Sequence, residues 1–248
     1  SMVSEKVTLL GLDFANCDAA HAAAALASRP ADAPFGYVVT PNADHLVRMA
    51  RDPSLVPLYR SALLCLLDSR VVRRAARLIG LAAPPVATGS DVTAAVLTQY
   101  LMPGERVTII GLRARDLPTL IAACDMAPPA HYDPPMGFDR DPIALQRTVE
   151  FVLAHPSRFV FLAVGSPRQE RLAAAIAATG QARGVGLCIG AGLEFLTGGQ
   201  PRAPRWVQQA GLEWLHRLKQ SPARFARRYL IDDPPIFALL LRERFSRS

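Results

Sequence analysis

Short apolar runs alternate with segments of helical spacing along most of the chain. The run at residues 159–164, FVFLAV, carries no charge, which is typical of a strand buried on both faces of a parallel sheet. It stops at Gly165, and apolar residues at helical spacing follow from residue 168 to about residue 179. This stretch therefore predicts a strand, a tight turn and a helix, which is the repeating unit of α/β folds.

The turn between this strand and this helix has the features of an anion-binding site. We expect Ser166 to cap the helix and Pro167 to take its first position. The free backbone N–H groups and the positive end of the helix dipole favour a phosphate or a sugar hydroxyl, and Ser166, Arg168 and Gln169 lie within reach of it. Many such turns bind nothing, so the turn by itself does not identify a ligand.

The same alternation continues on both sides of this unit and determines the fold class. Further strands are predicted at residues 7–10, 37–39, 62–67, 106–110 and 185–189, and helices at 19–27, 43–50, 71–79, 88–101 and 116–124. Six to seven strands alternating with helices predict an α/β fold with a largely parallel, Rossmann-like sheet flanked by helices, which we assign to a core of residues 1–201. No glycine-rich dinucleotide fingerprint follows the first strand, which disfavours a nicotinamide enzyme.

Polar residues stand where two of the predicted strands end. Thr40 and Asn42 follow the strand at 37–39, and Asp68 follows the fully apolar run at 62–67. Ligands of open α/β sheets gather at the carboxyl ends of strands, where partial desolvation raises the basicity of a carboxylate toward that of a general base. Two structural alternatives stay open: Asp68 as the N-cap of the helix at 71–79, and Thr40 and Asn42 as ordinary turn and cap residues.

An acidic pair in the middle of the chain raises the question of a metal. Asp139 and Asp141 match the spacing with which many nucleotide-sugar transferases hold a divalent cation. The pair lies in a segment with five prolines, residues 127–142, that we interpret as an extended loop, and it directly precedes Pro142, which suits a helix start. Because no second carboxylate cluster supports the pair, the sequence predicts activity without a metal or another cofactor.

Positive charge is concentrated at the C-terminal end of the chain. The 248 residues carry a net charge of +7, and residues 202–248 hold ten Arg and Lys against four Asp and Glu. Helices are predicted there at 206–219, 221–230 and 234–245, with arginines alternating with Trp206, Trp214, Phe225, Tyr229 and Leu230. We therefore predict a basic helical appendage at 202–248, whose aromatic residues are either core contacts or the apolar side of a surface-binding helix.

The charge and composition of the chain indicate which partners this appendage could bind. Nucleic acid, anionic lipid headgroups and a diphosphate ligand would all suit its charge. No apolar run reaches 18 residues and the N-terminal residues lack the apolar segment of a signal peptide, so neither export nor a membrane span is predicted. Half of all residues are hydrophobic, which is enough to bury a sizeable core.

Five blocks of the sequence resemble the WecG/TagA/CpsF glycosyltransferases. They are TPNAD at 40–44, Asp68 after its apolar strand, TGSD at 88–91, GSPRQE at 165–170 and the long block at 202–229. The resemblance extends from about Val38 to Tyr229. It implies an inverting transferase that moves a sugar from a UDP-sugar to a polyprenyl-diphosphate-linked saccharide at the cytoplasmic face of the membrane, in the synthesis of teichoic acid, common antigen or exopolysaccharide.

The resemblance also implies roles for individual residues. Asp68 is implied to be the catalytic base, with Thr40, Asn42 and Gln169 lining its pocket. Inversion also needs stabilisation of the departing diphosphate, which helix N-termini at strand ends and arginines of the appendage could supply. We assign the nucleotide-sugar to Gly111, Gly165, Ser166, Arg168, Gln169, Gly190 and Glu194. We assign the acceptor diphosphate or the membrane surface to Arg202, Arg205, Arg217, Arg224, Arg227 and Arg228.

Three positions depart from the family pattern. Ser69 and Arg70 follow Asp68 where the family usually has Gly, the glycine-rich turn after the fourth strand is reduced to GLRAR at 111–115, and Glu194 stands where Asp is commoner. These differences leave the donor sugar open between N-acetylmannosamine, its uronic acid, glucose and other hexoses.

Two other classes of protein share parts of this pattern. A non-catalytic nucleotide-binding or membrane-adaptor protein would have the anion turn and the basic appendage, but no use for a carboxylate at Asp68. A nucleic-acid binder would need solvent-facing aromatic residues in its basic patch. We expect a protein of the membrane surface with no nucleic-acid partner, and the sequence leaves its oligomeric state open, a homo-oligomer included.

Overall fold

A six-stranded parallel sheet with helices on both faces forms the body of the protein. The computed structural model describes residues 3, 5–190, 192–197 and 234–247. The sheet confirms the predicted α/β, Rossmann-like fold. Within the described ranges, no helix is both long enough and apolar enough to cross a membrane.

The elements are numbered here in chain order among the described residues. The strands are β1 (Lys6–Leu9), β2 (Leu12–Ala15), β3 (Gly36–Val39), β4 (Leu64–Cys65), β5 (Thr108–Gly111), β6 (Ala130–Tyr132), β7 (Phe159–Ala163) and β8 (Val185–Cys188). The helices are α1 (Ala19–Ala27), α2 (Ala43–Arg51), α3 (Val56–Arg60), α4 (Arg70–Leu78), α5 (Gly89–Ala95), α6 (Leu117–Cys124), α7 (Pro142–Ala154), α8 (Arg168–Ala178), α9 (Gly192–Thr197) and α10 (Pro234–Ser246).

The strand order of the main sheet is β4-β3-β8-β7-β5-β6, and all of its neighbours are parallel. Strand β7, the apolar run predicted first, lies inside the sheet between β8 and β5. Its residues Phe159–Leu162 are at most 1% exposed. A strand covered on both faces cannot tolerate alternating polar residues, which explains why this run carries none.

Two apolar cores lie on opposite faces of the sheet. Alternate residues of β7 belong to different cores, with Val160 and Leu162 in the first and Phe159 and Phe161 in the second. Helices α2, α3, α4, α7, α8 and α10 contribute to the first core, and α1, α5, α6 and α9 to the second. The chain therefore leaves β3 and β7 toward one face, and β8 and β5 toward the other. Ligand crevices form where neighbouring strands diverge in this way, and every neighbouring pair from β3 to β5 does so. The predicted site residues concentrate in two of these crevices, between β3 and β8 and between β7 and β5.

The N-terminal strand was predicted alone, but the structure pairs it. Strands β1 and β2 form an antiparallel hairpin that is separate from the main sheet. Its two-residue turn, Leu10 and Gly11, has positive φ at both positions, as a type I′ turn requires. Because Leu is an unusual residue for this turn, the hairpin has no recognisable turn signal in the sequence.

Other predicted boundaries also need correction. The strand predicted at 62–67 is reduced to Leu64–Cys65, because β4 is an edge strand that pairs only with β3 in the main sheet. The proline-rich segment at 127–142 was predicted as a loop, yet it contains the edge strand β6. The α-helix predicted at 88–101 covers only Gly89–Ala95, and a π-helical turn follows it over Val96–Tyr100.

Helix α10, the last one predicted from the sequence, is confirmed and packs on the body of the protein. Its residues Ile236 and Leu240 are 1% exposed within the first core, against α2 and α4. The Glu243 carboxylate accepts a hydrogen bond from the Leu10 backbone N–H at 2.8 Å, and Arg244 Nε donates to the Ile79 carbonyl at 2.9 Å. The end of the predicted appendage is thus tied to the core, whereas its helices predicted at 206–219 and 221–230 lie outside the described residues.

Candidate active site

The crevice between β3 and β8 brings together residues from five parts of the sequence. Thr40 Oγ1, at the end of β3, donates to the Cys188 carbonyl of β8 at 3.4 Å. Gln169 Oε1, from α8, accepts the Gly190 N–H at 2.9 Å. A Cβ atom at Gly89 would lie 3.1 Å from Thr40 Oγ1, and the Gly89 N–H donates to Asp68 Oδ2 at 3.1 Å. The structure therefore places Thr40, Asp68, Gln169 and Gly190 around one crevice, as expected for a shared site.

Asp68 does not cap the helix that follows it. Ser69 is the N-cap of α4 and accepts from the Val72 N–H at 3.1 Å. The Asp68 carboxylate instead reaches the first N–H of α5, at Gly89, while its own backbone N–H donates to the Pro41 carbonyl at 3.1 Å. The N-cap alternative for Asp68 is wrong. The carboxylate is held at the carboxyl edge of the sheet, partly exposed, where a general base could meet a substrate.

Asn42 caps helix α2, which is the structural alternative that the sequence left open. Its Oδ1 accepts the His45 N–H at 3.1 Å, and His45 Nδ1 accepts the Asn42 N–H at 3.3 Å, which together form a capping box at the start of α2. The cap fixes where α2 leaves β3 and so fixes one wall of the crevice. Any contact of Asn42 with a substrate stays a prediction.

The second crevice, between β7 and β5, holds the other two glycine turns. Gly111 has φ +90°, and a Cβ atom there would lie 2.4 Å from the Ala163 carbonyl oxygen, so this turn requires glycine. His131 Nε2 lies 2.9 Å and 2.8 Å from the carbonyl oxygens of Gly111 and Leu112, and it can contact both only as a donor. Arg168 lies over Gly165, where a Cβ atom would come within 2.9 Å of its guanidinium. The two crevices are two strand spacings apart, or roughly 10 Å.

Ser166 does not cap α8 as predicted. The helix begins at Arg168 without a side-chain cap. The Ser166 hydroxyl instead donates to Glu170 Oε1 at 2.9 Å, lies 3.1 Å from the Tyr59 hydroxyl and accepts from Arg48 at 3.3 Å. As a cap, the Ser166 oxygen would accept a backbone N–H of α8. The hydroxyl is turned toward Glu170 instead, and it donates its proton to that carboxyl group.

Glu170 is the buried residue of this region that the sequence analysis did not single out. It is 1% exposed, and its Oε1 accepts hydrogen bonds from the hydroxyls of Tyr59 and Ser166 at 3.0 Å and 2.9 Å. Its Oε2 is buried with no hydrogen-bond partner among the described residues. Burial raises the pKa of Glu170 above its ordinary value of 4.5, although the hydrogen bonds from Ser166 and Tyr59 act in the opposite direction. The signal for it was its place beside Gln169 in the GSPRQE block, one turn before the buried Ala173.

A comparison with family models decides the class of the protein. The model described as "Glycosyl transferase WecG/TagA/CpsF family" matches residues 7–248, which include every strand of the main sheet and both crevices. The chain belongs to the WecG/TagA/CpsF glycosyltransferase family. The match is wider than the resemblance found in the sequence blocks, because it also includes α10 and all of the hairpin except Lys6.

In this WecG/TagA/CpsF glycosyltransferase the acidic pair at 139 and 141 has structural partners. Asp139 forms an ion pair with Arg171 at 3.0 Å, with its side chain 3% exposed. Asp141 is the N-cap of α7 and accepts the Ile143 N–H at 3.0 Å, which confirms the predicted helix start. Across the described part of the chain, no group of three or more His, Cys, Asp or Glu is arranged to hold a metal ion. Activity without a metal stays a prediction.

Part of the predicted glycosyltransferase site lies outside the described residues. Glu194 belongs to α9, but its side chain lies outside the described residues. The arginines assigned to the acceptor or the membrane also lie outside them: Arg202, Arg205, Arg217, Arg224, Arg227 and Arg228. The aromatic residues Trp206, Trp214, Phe225 and Tyr229 lie in the same segment.

A Glu170→Gln substitution tests the buried carboxyl through stability. Because its folded-state pKa is raised, Glu170 contributes stability that is full below pH 4.5 and is lost as the pH rises through the folded-state pKa. Gln has no proton to lose, so the free energy of unfolding of Glu170→Gln should increase relative to the wild type as the pH rises above 4.5. Urea titrations of both proteins measure this difference. The matched control is Glu150→Gln, an exposed position on α7. If the stability difference between Glu170→Gln and the wild type changed with pH no more than the difference for this control, the prediction would be contradicted.

Proposed function

We propose that the protein is an inverting glycosyltransferase that moves a sugar from a UDP-sugar to a polyprenyl-diphosphate-linked saccharide, in the biosynthesis of a cell-surface polysaccharide. Membership of the WecG/TagA/CpsF family supports the reaction class. The observation that carries the proposal is the position of Asp68 at the carboxyl edge of the sheet, where its carboxylate accepts the first N–H of α5 at Gly89, next to Thr40. The donor sugar is proposed to be a hexose or an N-acetylmannosamine-type sugar.

The reaction needs one base and one anion-stabilising region. The acceptor hydroxyl oxygen attacks the anomeric carbon as the bond from that carbon to the UDP oxygen breaks, and Asp68 takes the hydroxyl proton. UDP leaves from the opposite side, so the configuration at the anomeric carbon inverts. The departing diphosphate is proposed to lie against the turns at Gly165 and Gly190, with Arg168 supplying positive charge.

The remaining assignments follow this arrangement. Thr40, Asn42 and Gln169 are proposed to line the pocket around the base, and Gly111, Ser166 and Glu194 to contact the nucleotide-sugar. The acceptor carries a lipid chain, so transfer is proposed to occur at the cytoplasmic face of the membrane. The basic segment at 202–228 is proposed to contact the membrane surface or the acceptor diphosphate.

Donor binding and metal dependence can be tested together by thermal unfolding and transfer assays. A UDP-sugar present at about 100 times its Kd should stabilise the folded protein by about 2.7 kcal/mol and raise its melting temperature. We expect both the shift and the transfer activity to persist in EDTA. A screen in which no UDP-sugar shifts the melting temperature would contradict the donor assignment. Activity that is lost in EDTA and restored by Mg²⁺ or Mn²⁺ would contradict metal independence.

The rival interpretation, a non-catalytic nucleotide-binding or adaptor protein, differs in one outcome of the same assays. Such a protein would show the thermal shift without any release of UDP. Substrate turnover, not binding, therefore separates the two.

A further inference from the structure

We propose that Glu170 is a positioning residue of the transferase site, which orients the Gln169 carboxamide and through it the backbone turn at Gly190. The expected effect of Glu170 on turnover rests on the proposed function, whereas its expected effect on the Gly190 turn does not. No role for this carboxyl follows from the assignment of Asp68 as the base.

Glu170 forms hydrogen bonds that connect several elements of the fold. Its Oε1 accepts from the Tyr59 hydroxyl of α3 at 3.0 Å and from Ser166, in the turn after β7, at 2.9 Å. Ser166 is also contacted by Arg48 of α2 at 3.3 Å. One carboxylate oxygen thus links α3 to the start of α8 directly, and α2 through Ser166.

The Gln169 carboxamide has one orientation that satisfies both of its ends. Its Oε1 accepts the Gly190 N–H at 2.9 Å, while its Nε2 lies 3.5 Å from Glu170 Oε1. If the carboxamide rotated by half a turn, its NH₂ group would face the Gly190 N–H and its oxygen would face the carboxylate, so both contacts would become repulsive. Glu170 therefore selects the orientation that holds the turn after β8.

The chemistry of the position argues against a purely structural role. A buried carboxyl is costly to fold, and an apolar side chain of similar size would fill the same space without an unpartnered oxygen. Within the described ranges, the titratable and charged groups around Glu170 are Tyr59 of α3, Tyr37 of β3, Cys188 of β8 and, through Ser166, Arg48 of α2. Among the described residues, no ion pair of 4.0 Å or less neutralises Glu170. A costly, unpaired carboxyl beside a candidate active site is typical of a functional group.

Hydrogen exchange at the Gly190 amide tests the positioning directly, because this N–H donates to Gln169. Measured by NMR, exchange should accelerate about fivefold or more in Glu170→Leu, the scale of one net hydrogen bond. Gln169→Ala, which removes the acceptor itself, gives the reference effect, and Glu170→Gln, which keeps an acceptor oxygen, should stay close to the wild type. The matched control is Glu243→Leu. Glu243 lies on α10, and its buried Oε2 also has no hydrogen-bond partner within the part of the chain that the structure describes.

Steady-state kinetics give a second and separate measurement. Glu170→Leu should lower kcat about tenfold or more, because misplaced site groups slow the chemical step, and Glu170→Gln should restore most of the rate. In a Gln169→Ala background the same change should have little further effect, since Glu170 acts through Gln169. If Glu170→Leu does not fold, Tyr59→Phe removes one hydrogen bond to Glu170 and should still accelerate exchange at Gly190.

The outcomes separate this inference from the proposed function. Unchanged exchange at Gly190 in folded Glu170→Leu, or in Tyr59→Phe where Glu170→Leu does not fold, would overturn the positioning role, as would rate losses that add fully in the double variant. Absence of transfer by the wild-type protein would contradict the proposed function, and the exchange measurement would still decide the role of Glu170.

Discussion

An Asp68→Asn variant is expected to lower kcat by about 100-fold or more while it binds UDP with nearly unchanged affinity. The amide cannot take the proton of the acceptor hydroxyl, so the variant loses the base. The amide keeps an oxygen that can accept the Gly89 N–H, which lies 3.1 Å from Asp68 Oδ2 in the wild type. The start of α5 should therefore stay in place. The loss should therefore appear in turnover and not in donor binding or in melting temperature.

The measurement for Asp68→Asn is the rate of UDP release in the presence of acceptor, together with UDP affinity from calorimetry. Asp52→Asn is a suitable control, because Asp52 is an exposed carboxylate in the loop after α2. Turnover by Asp68→Asn close to that of the control would exclude Asp68 as the base.

Replacing Arg224, Arg227 and Arg228 together by Gln is expected to weaken binding to anionic vesicles by about 100-fold. Each basic residue near an anionic membrane surface contributes about 1 kcal/mol, and about 1.4 kcal/mol corresponds to a tenfold change in affinity. These arginines lie outside the described residues, so the expectation rests on the charge of the segment. Transfer to a lipid-linked acceptor should fall with vesicle binding, and added salt should weaken the binding of the wild type.

Substitution is a sharper test of the appendage than deletion. A deletion from residue 202 onward would also remove α10, whose Ile236 and Leu240 are buried in the first core. Vesicle sedimentation of the triple variant should be compared with Arg51→Gln, Arg140→Gln and Arg147→Gln combined, a triple change of equal charge at exposed positions of the body. Equal pelleting of the two triple variants would indicate that the arginines of the appendage are only solvated around packed aromatic residues.

The alternation of apolar runs and helical segments was sufficient to predict five of the six strands of the main sheet, because strands covered on both faces leave a clear pattern. Caps such as Asn42 were also predictable, since capping depends on neighbours within a few residues. The hairpin and β6 were not predictable in the same way. The hairpin turns through Leu10 at positive φ, and β6 is a three-residue edge strand in a proline-rich segment.

The candidate site shows the same division between local and long-range information. Asp68, Thr40 and Gln169 could be proposed because each follows a strand end, and parallel strands bring those ends to one edge of the sheet. Glu170 carries a weaker signal, because a glutamate near a helix start usually faces water. Its burial depends on Tyr59, which is 111 positions away in the sequence. Ser166 was misassigned for the same reason, since its partner is that buried carboxylate and not the backbone of α8.

The measurement that tests the central claim most directly is transfer by the purified protein from a panel of UDP-sugars to a polyprenyl-diphosphate-linked saccharide. Mass spectrometry would detect the extended acceptor and the released UDP, and NMR would assign the anomeric configuration of the new bond. We predict that one UDP-sugar is consumed with inversion, and that the Asp68→Asn protein leaves it nearly untouched. A product with retained configuration, or no extended acceptor from any UDP-sugar, would contradict the account.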